Sequence, residues 1–282
     1  MTTWHTLLRE GKDRLYQAGN SDQAALLLLN ELCQAKKLNL YMIMDEKVDP
    51  DIATDYLEGI HRLEQGEPLG YVLGYENFYG YDFIVNKNVL IPRPETEELT
   101  GQVLLLSDLL FEDKEEPIVF DVATGSGAIG ITLSLEAPDL KVYASDISSE
   151  ALEVAQANNE KLGGRVQFFQ GDMLEPFIVR GLHCDILVCN PPYIPSQEEM
   201  DHGVVDYEPN IALFGGDDGL FFYRKLLEKA DQVLNPKGVI AFEMGYDQAD
   251  RLSALARHYL PQAHVEVIQD MSGKDRILVV RP

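Results

Sequence analysis

The chain has 282 residues, 45% apolar and 25% charged, so it can bury a sizeable core without a disulfide or metal staple. Its 23 Lys and Arg stand against 47 Asp and Glu, a net charge of −24, which argues against a nucleic-acid partner, since such partners are held chiefly by basic groups that displace counterions. Cys33, Cys184 and Cys189 form no CxxC pattern, no signal peptide is read before Met1-Thr2-Thr3-Trp4, and no apolar run approaches the roughly 20 residues that span a bilayer, so no metal site, no disulfide framework, no membrane contact and a reducing cytoplasmic setting are expected.

Trp4, Leu7, Leu8, Leu15 and Tyr16 recur at helical spacing and mark one face of a first helix. Asp22 is placed to cap a second helix, whose run Ala24-Ala25-Leu26-Leu27-Leu28-Leu29 is apolar almost all round and reads as central to a small bundle. Ile52, Tyr56, Ile60 and Leu63 mark a further helix that Gly66 and Pro68 end. Residues 1–72 are therefore expected to form a helical domain. Over 73–92 the period changes to two: Phe83 and Val85 alternate with Asp82, Ile84 and Asn86, and Gly74, Gly80 and Asn86-Lys87-Asn88 supply turns. This predicts a β-hairpin linker.

A third domain is expected over 93–282. Ile91-Pro92-Arg93-Pro94 is stiff, because each proline restricts its own φ and the residue before it. A helix is predicted from about Glu95, with acids in its first turn where the dipole favours them. Its apolar face is Leu99, Val103, Leu106 and Leu110, and the acidic run from Glu112 to Glu116 reads as a solvated linker. From Pro117 strands and helices alternate. Strands are predicted at Ile118 to Val122, at Lys141 to Ala144 leading into Asp146, at Val166 to Phe169, at Cys184 to Cys189 and at Val239 to Glu243. Two more are predicted around Met271-Ser272-Gly273-Lys274. That order predicts an α/β fold, a mostly parallel doubly wound sheet with one antiparallel intruder.

Open sheets of this kind bind ligands beyond the carboxyl ends of their strands. The candidate is Asp121-Val122-Ala123-Thr124-Gly125-Ser126-Gly127, where small residues let a ligand approach the backbone and a helix N-terminus follows. No lysine completes a Walker loop, whereas Gly125 to Gly130 matches GxGxxG, so a dinucleotide is a formal rival. Asp121 separates the two. An acid at the end of the first strand repels phosphates but suits a ligand that carries an ammonium and a sulfonium, as S-adenosylmethionine does. Asp146 is placed to hold ribose hydroxyls, or else to cap the helix after it. Asp172 and Met173 are placed to grip an adenine edge, or else form a loop.

Asn190-Pro191-Pro192-Tyr193 directly follows the fourth strand. An amide nitrogen is a poor nucleophile, because its lone pair is delocalised into the carbonyl. The Asn190 side-chain oxygen and a proline carbonyl can accept both N–H bonds of a substrate –NH2 and aim the nitrogen. The prolines fix these acceptors beforehand. Tyr193 can stack on the planar group. Asn190, Pro191, Pro192 and Tyr193 are the candidate catalytic residues. The bland alternative is a proline-stiffened turn.

With the glycine-rich loop, this motif resembles the methyltransferases of planar nitrogens. Ile91-Pro92-Arg93-Pro94-Glu95-Thr96-Glu97-Glu98-Leu99 is similar to a segment of the HemK/PrmC family, as are Pro68 to Gly74, Phe78-Tyr79-Gly80, Tyr207-Glu208-Pro209, Gly215-Gly216 and Asp218-Gly219-Leu220. The resemblance implies a Rossmann-like class I methyltransferase sheet with a small N-terminal helical bundle. It implies S-adenosylmethionine as cofactor, S-adenosylhomocysteine as product, and the glutamine of the Gly-Gly-Gln motif of peptide-chain release factors as substrate. By the same resemblance Asn190 and Pro191 hold the glutamine amide, with Tyr193 packed on it. Asp121, Ala123, Thr124, Gly125, Ser126, Gly127, Asp146, Asp172, Met173 and Asn190 form the cofactor site. The helical domain docks the release factor. Position 123 is Ala where that family usually has Gly. Arg93 and Thr96 lie near the methionine end of the cofactor or shape the pocket, or else serve as a structural linker.

Three rivals remain. A sister group that methylates a glutamine of a large-subunit ribosomal protein shares the motif. A DNA adenine methyltransferase would need a basic cleft and a base-flipping domain, for which this chain lacks charge and length. A non-enzymatic scaffold would need neither an intact loop nor an intact motif.

Overall fold

The computed structural model describes residues 2–198 and 206–282. The described residues divide into two compact units, one of residues 2–75 with 206–207, the other of 76–198 with 208–282.

The first unit is helical: α1 (Trp4–Gln17), α2 (Gln23–Ala35), the short α3 (Leu40–Ile43), α4 (Pro50–Glu64) and α5 (Leu69–Leu73). Thr3 and Thr6 close a capping box on α1, and Asp49 caps α4 by accepting from the Asp51 and Ile52 amides. Trp4, Leu7, Leu15, Leu28, Leu29, Ile52, Tyr56 and Ile60 make the core. Gly11 and Gly59 complete the packing: a Cβ on Gly11 would meet the Tyr56 hydroxyl at 2.1 Å, and one on Gly59 would meet Leu28 at 2.6 Å.

Four expectations for the helices need correction. Tyr16 is exposed, because it lies roughly 120° around α1 from Trp4 at 100° per residue. Leu27 is exposed by the same geometry, roughly 200° from Ala25, so α2 is one-sided and not buried all round. Asp22 makes no capping bond. Its backbone is helical rather than extended, and its carboxylate lies 3.6 Å from Lys12. Leu110, in the last turn of its helix, is exposed.

β1 (Tyr75–Phe78), which opens on the last residue of the first unit's 2–75 segment, and β2 (Tyr81–Ile84) pair as a hairpin, and in the second unit α6 (Pro94–Phe111) follows the proline segment. Then come β3 (Ile118–Val122), α7 (Ala128–Glu136), β4 (Lys141–Asp146), α8 (Ser149–Leu162), β5 (Gln167–Gln170), α9 (Glu175–Ile178), β6 (Cys184–Cys189), α10 (Phe221–Lys229), β7 (Leu234–Glu243), α11 (Ala249–Tyr259), β8 (His264–Gln269) and β9 (Asp275–Arg281). The seven-stranded sheet runs β5-β4-β3-β6-β7-β9-β8, the first five strands parallel and β9 antiparallel to both its neighbours.

Both faces of the sheet are covered, so its central strands are continuous apolar runs. Along β6, Leu187 and Cys189 join a core with α10 and α11, while Ile186 and Val188 join one with α6 and α7. Asp185 breaks the run because it is fully used: its carboxylate accepts from Lys114, the Ile118 amide and Asn235. Asn158, buried on α8, donates to the carbonyls of Ile84 and Ser126 and so ties the hairpin to the loop after β3. No helix among the described residues is long and apolar enough to cross a membrane.

Candidate active site

The chain runs from β3 out to β5 and returns to β6 on the other side of β3. The crevice at the carboxyl ends of β3 and β6 is therefore the topological switch point. The register pairs Val122 with Cys189, so Ala123 and Asn190 are the next residues of the two neighbouring strands. A cavity of about 290 Å³ opens there. Of the residues singled out from the sequence, Ala123, Gly125, Asp146, Asp172, Met173, Asn190 and Pro192 line it, joined by Val89, Leu90, Phe221, Phe222 and Lys225. Asp121, Thr124, Ser126, Gly127, Pro191 and Tyr193 are not among the residues that line it.

Asp121 is fully buried. Its Oδ2 accepts from the Thr124 hydroxyl at 2.5 Å and from the Gly130 amide at 2.9 Å. A Cβ on Gly130 would stand 2.8 Å from that oxygen, so the contact requires glycine. Its Oδ1 is buried and has no partner among the described residues. Burial pushes the carboxyl up to about 7 against the pull of those two bonds.

Asp146 braces the loop: its Oδ2 accepts from the Gly125 amide and its Oδ1 from the Ser148 amide, both at 2.9 Å. Ser148, not Asp146, caps α8, accepting from the Ala151 amide at 3.1 Å. Burial raises the Asp146 carboxyl, opposed by those backbone amides. Gly127 begins α7 at φ +84, and a Cβ there would meet Ile131 at 2.6 Å, so its role is close packing. Ala123 holds φ +57 and Met173 φ +50, in the left-handed region that side chains disfavour. Asp172 forms an ion pair with Lys225 of α10.

The segment after β6 is clamped. The Tyr193 carbonyl accepts from Gln248 at 2.9 Å, and Ile194 exchanges backbone bonds with Leu213 and Gly215. A Cβ on Gly215 would lie 2.5 Å from the Pro192 carbonyl oxygen, and one on Gly219 2.3 Å from that of Tyr193, which accounts for glycine at both places. The Asn190 Nδ2 donates to the Thr96 hydroxyl at 3.1 Å, and that hydroxyl donates to Glu243 at 2.7 Å. Among the described residues nothing donates to Asn190 Oδ1 or to the Pro191 carbonyl. Two acceptors, one from a side chain and one from the backbone, are thus left on adjacent residues.

Arg93 pairs with Glu208, whose other oxygen accepts from the Ile91 amide at 3.3 Å, so the proline segment is anchored from 115 residues away. Sequence reasoning gave no role to Glu243, Glu208 or Lys225, although Glu208 lies in a segment that resembles the family and Glu243 is an acid closing the apolar strand β7. No cluster among the described residues could hold a metal ion.

Residues 6–74 match the PrmC N-terminal domain and residues 99–206 the Methyltransferase small domain. The chain is 43% identical to a release factor glutamine methyltransferase of Bacillus anthracis, over 94% of each chain. It is 41% identical to that of Bacillus subtilis, over 99% of this chain and 97% of the relative. To that of Staphylococcus aureus it is 33% identical over 99% of each. Among solved structures, the hMettl16 catalytic domain (TM-score 0.53, 14% identity, 82% of this chain and 81% of that one) shares the fold. A methyltransferase from Pyrococcus furiosus (TM-score 0.50, 20% identity, 72% and 89%) shares it too. The sheet order, the clamped Asn-Pro-Pro-Tyr segment beside the glycine-rich loop and these full-length relatives agree, and the chain belongs to the release factor glutamine methyltransferase family.

Proposed function

We infer that this chain transfers the methyl group of S-adenosylmethionine to the side-chain nitrogen N5 of the glutamine in the Gly-Gly-Gln motif of a peptide-chain release factor. The observation that carries this reading is a pair of acceptors on adjacent residues, Asn190 Oδ1 and the Pro191 carbonyl, to which no described residue donates, with Asn190 lining the same cavity as Asp146 and Asp172. A substrate –NH2 has two N–H donors, and these two acceptors match them. Accepting both bonds raises electron density on nitrogen and holds it in one orientation, which is catalysis mainly by positioning.

The cavity also fits the cofactor. The carboxylate of Asp146 keeps lone pairs for ribose hydroxyls beyond its two backbone bonds. Asp172 and Met173 offer an acceptor and an apolar surface for a purine. The buried Oδ1 of Asp121, which has no partner among the described residues, is left as an acceptor at the end of β3. S-adenosylmethionine, when bound, supplies an electrophilic methyl group and leaves as S-adenosylhomocysteine. Tyr193 is kept neutral, since burial raises its hydroxyl well above the usual range, and it packs on the amide plane rather than acting as a base. No strong base is needed, because the amide proton becomes acidic once nitrogen is alkylated. In the helical unit, exposed Tyr16, Tyr41 and Met42 offer apolar anchors for docking the protein substrate.

The test is methyl transfer from radiolabelled cofactor to three acceptors: an unmethylated release factor, unmethylated ribosomal subunits and duplex DNA. Label on the release factor, lost when its Gly-Gly-Gln glutamine becomes alanine, is the expected result. Label on a ribosomal protein alone moves the substrate to the sister group. Label on DNA overturns the reading drawn from a net charge of −24.

A further inference from the structure

Asn190 can serve as an acceptor only if its carboxamide sits one way round. Rotated by a half turn, it would present Nδ2 to the substrate, a donor facing a donor. We propose that Thr96 and Glu243 are positioning residues that set this orientation, holding Nδ2 inward so that Oδ1 faces the substrate amide. The proposal rests on the role given to Asn190 above.

The three side chains come from three elements. Asn190 follows β6, Glu243 ends the neighbouring parallel strand β7, and Cys189 pairs with Phe242, so the two residues leave adjacent strands at the same level. Thr96 stands in the first turn of α6, above them. Thr96 and Glu243 are both buried, at 5% and 2% exposure, so water does not compete for their bonds. An ionised Glu243 only accepts, so the single Thr96 proton goes to it at 2.7 Å. The Thr96 oxygen is then left with lone pairs alone and must accept from Asn190, at 3.1 Å. The polarity of the chain is fixed from Glu243 outward: acceptor, hydroxyl, donor. A flipped Asn190 would set its oxygen against those lone pairs and lose the bond. The Thr96 backbone is itself held, its carbonyl accepting from the Thr100 hydroxyl at 2.9 Å.

A protonated Glu243 inverts this order. It donates to Thr96, whose proton then turns toward Asn190 and favours the flipped amide. Burial pushes the Glu243 carboxyl up to about 7, and Glu95 on α6 adds to the rise. The bond from Thr96, the charge of Arg276 on β9 and the nearby Asn190 amide oppose it. Tyr193 and Cys189 also face this charge, both held protonated by burial, and Tyr223 of α10 donates to the Glu243 backbone carbonyl.

The test uses the full chain with saturating cofactor and an unmethylated release factor, comparing Thr96→Val, Thr96→Ser, Glu243→Gln and Asn190→Ala. Thermal unfolding confirms that each is folded. Thr96→Val should lower kcat roughly ten- to a hundredfold, the scale of losing one aligned hydrogen-bonding group, while cofactor Kd stays unchanged. Thr96→Ser, which keeps the hydroxyl, should recover most of the rate. The wild-type kcat should rise with pH through about 7, the value of the Glu243 carboxyl, and Glu243→Gln should be slow and lack that limb. Wild-type kcat in Thr96→Val and Glu243→Gln would overturn the relay. So would equal damage from Thr96→Val and Thr96→Ser, which would mark a packing effect. An Asn190→Ala variant with undiminished kcat would instead sink the reading of the site itself, and the relay with it.

Discussion

At the scale of single residues, the site combines charge that is expensive to bury with backbone that is expensive to hold. Asp146 spends one oxygen on the Gly125 amide and the other on the Ser148 amide, so it shapes the loop as well as facing the cavity. Asp146→Ala should therefore weaken S-adenosylmethionine by about 1.5–3 kcal/mol, roughly ten- to a hundredfold in Kd, with little change in kcat at saturation. Calorimetry with unchanged affinity would return Asp146 to a purely structural role. Ala123 shows the cost of the backbone. Sequence comparison with the resembling family suggested that glycine belongs there, and Ala123 does sit at φ +57. Ala123→Gly should relieve that strain and stabilise the chain by about 0.5–1 kcal/mol, the gain being trimmed by glycine's unfolded-state entropy. Denaturant melts check this, and a loss of stability would show that the alanine methyl makes contacts worth more than the strain.

At the scale of elements, helical periodicity found the buried faces but not their limits. The α1 face is Trp4, Leu7, Leu8, Gly11 and Leu15, and Gly11 belongs to it for lack of a side chain, which hydrophobic spacing does not register. The reason lies on α4: Tyr56 fills the space over Gly11. The Tyr56 hydroxyl is buried without a partner among the described residues, and burial holds it well above its usual range. Removing it costs no hydrogen bond and ends a desolvation penalty, so Tyr56→Phe should stabilise the helical unit by about 1 kcal/mol. A raised urea midpoint is expected. A lowered one would mean that the hydroxyl is satisfied by water. The loops after β3 and β6 were legible for the opposite reason: glycine and proline impose their geometry locally, whatever surrounds them.

At the scale of the whole molecule, buried acids set the pH response. Unfolded, Asp121 and Glu243 ionise near 3.8 and 4.5; folded, each holds its proton to about 7. The folded chain therefore binds more protons between those values. Their contribution to stability is full below about 4 and is lost as pH rises through 7. Glu64, Asp218 and Asp270 act in the other direction, Asp218 being held down to about 2 chiefly by its bond to Arg224. Their stabilisation is present above the ordinary carboxylate range and fades as pH falls below it. Melting temperature of the cofactor-free chain should peak near pH 5 and fall toward pH 8, by an amount on the order of a few kcal/mol in stability. A flat profile from pH 5 to 8 would mean that neither buried acid is perturbed as described.

The sequence by itself determined the class of fold, the place of the glycine-rich loop and the place of Asn190-Pro191-Pro192-Tyr193 directly after β6. Strand period, helix period and turn residues act over a few neighbours, and so does the hydrogen-bonding character of an asparagine beside prolines. Only the tertiary structure decided which distant groups support them. Thr96 meets Asn190 across 94 residues and Glu243 across 147, Lys225 reaches Asp172 across 53, and Glu208 anchors Arg93 across 115. Those meetings depend on strand order, and periodicity within a strand says nothing about which strand lies beside it.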